Sequence, residues 1–361
     1  MRTLIKNFQY AIFSLGKKLR KGVIKLKPTI KDIAKRADVS TATVSRIING
    51  LEGYNEETKQ KVLKAIAELG YKRNPVGVIE AEKVKLNNTV GVIVSDISTD
   101  FYISILKGIE NVAHENGYSI IICNSDVDGA KTIDYINVLK QRNVDSIILI
   151  GLNLKDEYYK ALEDSKIPYI QISTMSFKYQ IPYIKVDSQQ ASYAATKYLI
   201  DKGHKKIAMI SGDSKDVDNG YHRIFGFKQA LMENNLEVDE SLIKQGDFSY
   251  ESGRKCMEEL LKEKKIFTAI FAASDDMAIG ALQVAYENNI KIPKDLSIIG
   301  YDNTKVAEMS IPPLTTVGQP LYEMGRRGME NIINFIENNV KLESIIMPYS
   351  IVERKTVAEL E

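Results

Sequence analysis

From Thr89 onward the chain alternates short apolar runs with longer amphipathic segments, the pattern of strands buried on both faces and separated by helices. VGVIVSD, YSIIICNS, DSIILIG, PYIQIS and YIKVD are predicted as buried parallel strands, with helices over 100–116, 129–142 and 155–164 between them. A helical stretch near 188–203 leads into a second round, KIAMISG, SLIKQGD, TAIFAAS and LSIIGYD, with helices near 220–234, 249–264 and 275–289. Repeated strand–helix units predict two doubly wound α/β lobes. Ligands of open parallel sheets sit outside the carboxyl ends of the strands, so two facing lobes make a cleft that can hinge shut.

The N-terminal part has a different period. In TIKDIAKRADVSTATVSRIING, residues 29–50, Thr29 and Asp32 make a capping box that starts a helix at Ile30, and Ile30, Ile33, Ala34 and Ala37 share one face. Asp38-Val39 makes a turn. Ser40 caps a second helix with Val44, Ile47 and Ile48 inward, and Asn49-Gly50 ends it. A third helix from about Glu56 through Leu69 is expected to lay Val62, Leu63, Ile66 and Leu69 over the pair. This leaves Thr41, Ala42, Thr43, Ser45 and Arg46 on an exposed face. Small residues there let a backbone approach the major groove, hydroxyls bond phosphates or base edges, and an Arg can grip guanine with two hydrogen bonds. The alternative is a helical hairpin inside a larger domain, with the hydroxyls merely capping.

Charge argues for the first reading. Residues 1–75 hold 17 Lys/Arg and 6 Asp/Glu, a net of +11 against +2 for the whole chain, so the body is acidic and only the head suits a polyanion. Cys123 and Cys256 stand far apart in apolar runs, which favours a reducing, cytoplasmic setting over a disulfide framework. His114, His204 and His222 lack metal-ligand spacing. No Walker loop, glycine fingerprint or nucleophile elbow is present, so neither a cofactor nor catalysis is expected. No apolar run is long enough for a membrane span. Residues 1–27 carry apolar residues at helical steps among lysines and arginines, but with no second membrane signal they are taken as a disordered basic leader.

The stretch TIKDIAKRADVSTATVSRIINGLEGYNEETKQKVLKAIAELGY closely resembles the headpiece of the lactose-repressor (LacI/GalR) family of bacterial transcription regulators, and the resemblance extends almost to the C-terminus. It implies an all-α helix-turn-helix headpiece followed by two doubly wound parallel-sheet lobes similar to type 1 periplasmic sugar-binding proteins. The expected domains are the leader 1–27, the headpiece 28–73, a hinge helix and linker 74–88, and an effector-binding and dimerisation body 89–361. The resemblance gives Thr41, Ala42 and Arg46 the setting of operator preference. The whole DNA-binding set is Thr29, Ser40, Thr41, Ala42, Thr43, Ser45, Arg46, Asn49 and Asn74. Family hinges wedge a leucine into the minor groove. Here YKRNPVGVIEAEKVK puts Glu80 at that place and Gly77 nearby, and a carboxylate is repelled by phosphates.

At the ends of the predicted strands, Phe101, Tyr102 and Phe248 suit stacking on a sugar ring, while Arg223 and Asp302 suit its hydroxyl rim. The resemblance assigns effector contact to these positions and to Gln319. It also shows two departures, Ser173 and Ser274, where many sugar-binding relatives carry Asp or Arg and Asn. The expected partners are therefore a palindromic DNA operator, a sugar or phosphosugar effector and a second copy of the chain. Phrases such as DISTDFY and GYDNT also resemble the catabolite-control branch, whose co-regulator is a phosphorylated carrier protein. The rivals are a sugar-binding transport protein, which would carry a secretory signal in place of a basic head, and an α/β enzyme with a DNA module. For the enzyme the best carboxylate pair, Asp275-Asp276, stands where helix capping is expected.

Overall fold

A computed structural model of the protein describes residues 30–48, 54–69, 86–126, 129–214 and 216–360, with the side chains of Ile30, Lys31, Ala42, Ser45 and Ile48 left out. The expectations for the leader, for Thr29, Asn49 and Asn74, and for the hinge up to residue 85 lie outside the described residues. The helices before Val84 form one compact unit and Lys85–Glu361 another.

In the first unit, α1 (Ile30–Ala37), α2 (Thr41–Ile48) and α3 (Glu56–Leu69) enclose a small core of Ile33, Ala34, Ala37, Val44, Ile47, Val62 and Ala65. Asp38 takes φ 52° in the turn between α1 and α2, a conformation its short polar side chain tolerates. Asn55 caps α3 by accepting from the Thr58 N–H at 2.8 Å. One expectation fails here, because Leu63 is 44% exposed. The buried stripe of α3 runs Val62, Ala65, Ile66, Leu69, and Leu63 lies about 100° round the helix from Val62.

The second unit carries two six-stranded sheets. The first is built from β1 (Thr89–Val94), β2 (Ser119–Asn124), β3 (Ser146–Ile150), β4 (Tyr169–Ile172) and β5 (Tyr183–Val186) in the order β2-β1-β3-β4-β5. Between them run α4 (Asp100–Glu115), α5 (Thr132–Gln141) and α6 (Asp156–Ser165). After β5 the chain crosses into the second lobe through α7 (Ser188–Asp201). There β6 (Ile207–Ser211), α8 (His222–Glu233), β7 (Ile243–Gln245), α9 (Tyr250–Lys262), β8 (Ala269–Ala272), α10 (Asp275–Glu287), β9 (Ser297–Asp302), α11 (Lys305–Met309) and β10 (Thr315–Gly318) repeat the strand order as β7-β6-β8-β9-β10.

The chain then returns through α12 (Leu321–Asn338) to the first lobe, where β11 (Ile345–Met347) pairs parallel with β5. It crosses once more to lay β12 (Ser350–Val352) antiparallel on β10. Everything from β10 onward escaped the sequence pattern. Its strands are three or four residues long and stand outside the strand–helix alternation, and the 18-residue α12 was missed with them.

The central strands are buried throughout, as their unbroken Val/Ile runs predict. One strand expected to be buried is instead a sheet edge: β2 leaves Ile122 46% exposed, because it has a neighbour on one side only, and the three-residue β7 is the matching edge of the second sheet.

Helices α4 and α12 approach so closely that glycine is required on both. A Cβ on Gly108 would stand 2.0 Å from the Tyr322 carbonyl oxygen, and one on Gly325 would stand 2.0 Å from that of Ile105. Alanine normally stabilises a helix relative to glycine by about 0.5–1 kcal/mol. Gly108→Ala is expected to reverse that sign and destabilise by about 1–3 kcal/mol through overpacking, read as a lower urea midpoint at unchanged slope.

Candidate nucleic-acid interface and interlobe cleft

The headpiece presents α2 through a cap. Ser40 Oγ accepts from the Thr43 N–H at 3.0 Å and lies 2.9 Å from the Thr43 hydroxyl, so that hydroxyl is tied to the cap and Thr43 is half-buried rather than fully on the open face. Thr41 and Arg46 are exposed, while Val44 and Ile47 point into the core. The packed face thus fixes the direction in which the free face points. The Arg36–Glu68 ion pair at 2.7 Å is solvent-exposed and contributes little to holding α1 against α3.

In the body, every expected effector residue lies at or just beyond the carboxyl end of a strand, or at the start of a helix facing those ends. Arg223, 4% exposed in the first turn of α8, is the centre of the set. Its guanidinium carbon stands 3.7 Å from the centre of the Tyr301 ring and 5.6 Å from that of Phe248. The charge is thereby held within cation–π range of both rings, most closely over Tyr301. Nη1 donates to the Ala273 carbonyl at 2.5 Å and Nη2 to Asn219 Oδ1 at 3.4 Å, while the buried Nε has no partner.

Phe248 is pressed flat on Gly212, whose Cβ position would be 1.9 Å from the ring, and it takes φ 72° to reach there. Such a conformation is costly for a bulky residue and marks a position fixed by its surroundings.

Asp302 ends β9 with φ 123° and accepts from Gln319 Nε2 at 2.8 Å. Burial raises its carboxyl well above the ordinary range, the Arg223 charge pulls it back down, and the neighbouring Asp275 adds to the rise. On the first lobe, Phe101 and Tyr102 meet edge to face with ring centres 5.0 Å apart. The Tyr102 hydroxyl turns inward onto Ser95 Oγ at 2.7 Å, and burial pushes it up to about 12. Ser173, buried at φ 68°, has a hydroxyl without a partner.

Two expectations need correction. Ser274 is not free for a ligand: its hydroxyl caps α10, accepting from the Met277 N–H at 3.1 Å and donating to the Phe248 carbonyl at 2.9 Å. Asp275 is not the helix cap, because Ser274 already is. Asp275 is turned into the core, with Oδ2 accepting from the Thr304 N–H at 2.7 Å and hydroxyl at 2.9 Å, and Oδ1 accepting from the Thr316 hydroxyl at 2.6 Å. It ties α10 to the segment after β9 and to β10. Asp276 faces Asp100, Asp96 and Glu251, and with burial first these charges raise its carboxyl.

A model of bacterial regulatory proteins of the lacI family matches residues 29–74, and a model of a periplasmic binding protein-like domain matches residues 196–357. The chain is 38% identical over 329 residues to catabolite control protein A of Priestia megaterium, covering 91% of this chain and 98% of the relative. It is 40% identical over 341 residues to the HTH-type transcriptional regulator DegA of Bacillus subtilis, with 93% and 99% covered. The chain belongs to the LacI family of bacterial transcriptional regulators.

Solved LacI-family structures agree. A complex of the regulator CelR with cellobiose superposes with a TM-score of 0.70 at 30% identity, covering 91% of this chain and 99% of that one. The lac repressor dimer bound to operator and an anti-inducer gives 0.66 at 27%, covering 92% and 100%. The two-sheet body and the three-helix head of this regulator are therefore the family's fold, and its work is transcription control through DNA binding. No described helix of the regulator is long and apolar enough to cross a membrane.

Sequence reasoning missed three polar residues of the cleft, Lys185, Asp218 and Asn219. Lys185 lies in β5 and Asp218 in a π-helical turn, Val217–Tyr221, that leads into α8. Their side chains meet as an ion pair although the residues are 5% and 2% exposed. The available signal was a lysine inside YIKVD, since a strand covered on both faces has no place for a charge without a partner.

For this LacI-family chain, burial raises Asp275 from an ordinary 3.8 to about 7, with the threonine hydrogen bonds opposing the rise. The folded state therefore holds a proton that the unfolded chain has released, and the stability this group contributes below about pH 4 is lost as pH rises toward about 7. Asp275→Asn mimics the protonated form, its oxygen accepting from Thr304 and its amide donating to Thr316. The variant is expected to flatten that part of the profile, measured as urea midpoints at pH 4.5 and 7.5.

Proposed function

We propose that this regulator is a homodimeric repressor whose operator affinity is set by a small sugar-like effector in the interlobe cleft, acting in the cytoplasm and without catalysis. The observation that carries the effector half is Arg223, a buried cation over the Tyr301 ring and near that of Phe248, with an unpartnered Nε, in the same pocket of residues as Asp302 and Gln319. Aromatic faces with forked polar groups suit a ring that is apolar on its faces and polar round its rim. The relative solved with cellobiose supports the same ligand class. Ligand binding that favours one lobe arrangement over another is what couples the cleft to the DNA-binding half.

In the DNA half, Thr41, Ala42 and Arg46 of α2 read base edges, and Thr41 and Arg46 are exposed while Val44 and Ile47 are buried. Ser40, Thr43 and Ser45, with Thr29, Asn49 and Asn74, contact or position the phosphates. The relative solved as a dimer on its operator supports a palindromic site read by two headpieces. A second reading is favoured by the 38% identity to a catabolite control protein. It keeps the DNA half and replaces the small effector with a phosphorylated carrier protein docked on the outside of the body.

A thermal-shift screen of sugars, phosphosugars and nucleosides separates the two, because a ligand bound only by the folded state raises the melting temperature. Arg223→Ala is expected to abolish the shift of whichever compound scores. A shift that survives the substitution moves the site out of the cleft, and no shift with any compound favours the carrier protein.

Arg46→Ala is expected to weaken operator binding by about 1–3 kcal/mol while nonspecific affinity stays within error, measured by fluorescence anisotropy at fixed salt. An equal loss on every duplex assigns Arg46 to phosphate instead.

A further inference from the structure

The ion pair between Lys185 and Asp218 joins the lobes. Lys185 belongs to β5 of the first sheet, and Asp218 to the turn that opens α8 in the second lobe. Both Asp218 oxygens are taken by the first lobe, Oδ1 by the Lys185 ammonium and Oδ2 by the Met175 N–H at 3.1 Å in the segment after β4. Beside this contact, the ring of Phe177 from the first lobe stacks on that of His222 from the second, 5.2 Å between centres and 12° from parallel. All of these contacts are intramolecular.

The same turn leads into the helix that carries Arg223. Asn219, next to Asp218, accepts from Arg223 Nη2 at 3.4 Å, and Arg223 follows Asp218 by five residues. A π-helical turn is rare and is frequently found at functional sites. Here it places Asp218 against the first lobe, one turn before Arg223 at the start of α8.

We propose that Lys185 and Asp218 form a lobe-to-lobe latch that holds the cleft closed in the absence of any effector. A buried charge stripped of its partner is strongly unfavourable, whereas either charge is readily hydrated once the lobes part. The closed arrangement therefore depends on both charges being present. In this chain closure is not something the ligand has to supply, and an effector acts by displacing or reinforcing an arrangement the protein already holds. This last consequence rests on the reading of the cleft as the effector site. The latch itself does not.

The test uses the full-length protein with no ligand. Cysteines placed at exposed Lys160 on α6 and Lys255 on α9 carry spin labels, while the native Cys123 and Cys256 are buried. Labelled chain is diluted into excess unlabelled chain, so that pulsed electron resonance reads only distances within one chain. The expected result is a single short lobe-to-lobe distance in the otherwise wild-type protein. Lys185→Met and Asp218→Asn should each add a longer population that the wild type lacks. Asp218→Asn keeps the shape of the side chain and its bond to Met175, so it decides the matter if Lys185→Met does not fold. A wild type already spread over short and long distances overturns the latch. So does an Asp218→Asn protein of native helicity whose distances match the wild type. Because no effector is present, either failure leaves the sugar-effector reading standing, and a failed ligand screen leaves the latch standing.

Discussion

A parallel sheet ends, on the side where its strands finish, in loops and helix starts whose backbone groups point outward without partners. That polar end has to meet something polar, and in this regulator each lobe's end meets the other's. The pairing of Lys185 with Asp218 and the bond from the Met175 N–H to Asp218 are where the two ends meet, while the buried Arg223, Asp275 and Asp302 find their partners within the second lobe's own polar end.

The energetic consequence is a body whose two halves behave differently. Away from the cleft, strands such as Ser146–Ile150 and Ile207–Ser211 are buried throughout and contribute the bulk of the apolar burial, on the order of 1.5–3 kcal/mol for each large side chain fully removed from water. At the cleft, hydrogen bonds and ion pairs have to offset a desolvation cost that buried apolar side chains do not carry.

Periodicity exposed most of this architecture, because the buried strands of α/β lobes read as unbroken apolar runs and the second headpiece helix carries a clear cap at Ser40. It failed where position in the sheet decides burial, as at Ile122, since an edge strand and a central strand share one composition. It failed again in the C-terminal region, where the short strands and α12 stand outside the strand–helix alternation. Among the cleft residues, Arg223, Phe248, Asp302 and Gln319 do come together at the strand ends. Ser274 took the capping duty expected of Asp275, and Asp275 turned into the core, because two neighbouring residues can both cap a helix by sequence and only the bonds from Thr304 and Thr316 decide which one does. Lys185 passed for an ordinary polar position because its partner is 33 residues away in the other lobe.

The last strands of the chain have an effect out of proportion to their length. Ile345–Met347 completes the edge of one sheet and Ser350–Val352, three residues later, completes the edge of the other. Clipping the tail by a protease or a premature stop would therefore not trim one terminus of one domain. It would unpair both lobes at once, so neither half can be expected to survive as an autonomous fragment, and the smallest independently folding piece of this body is the whole of it.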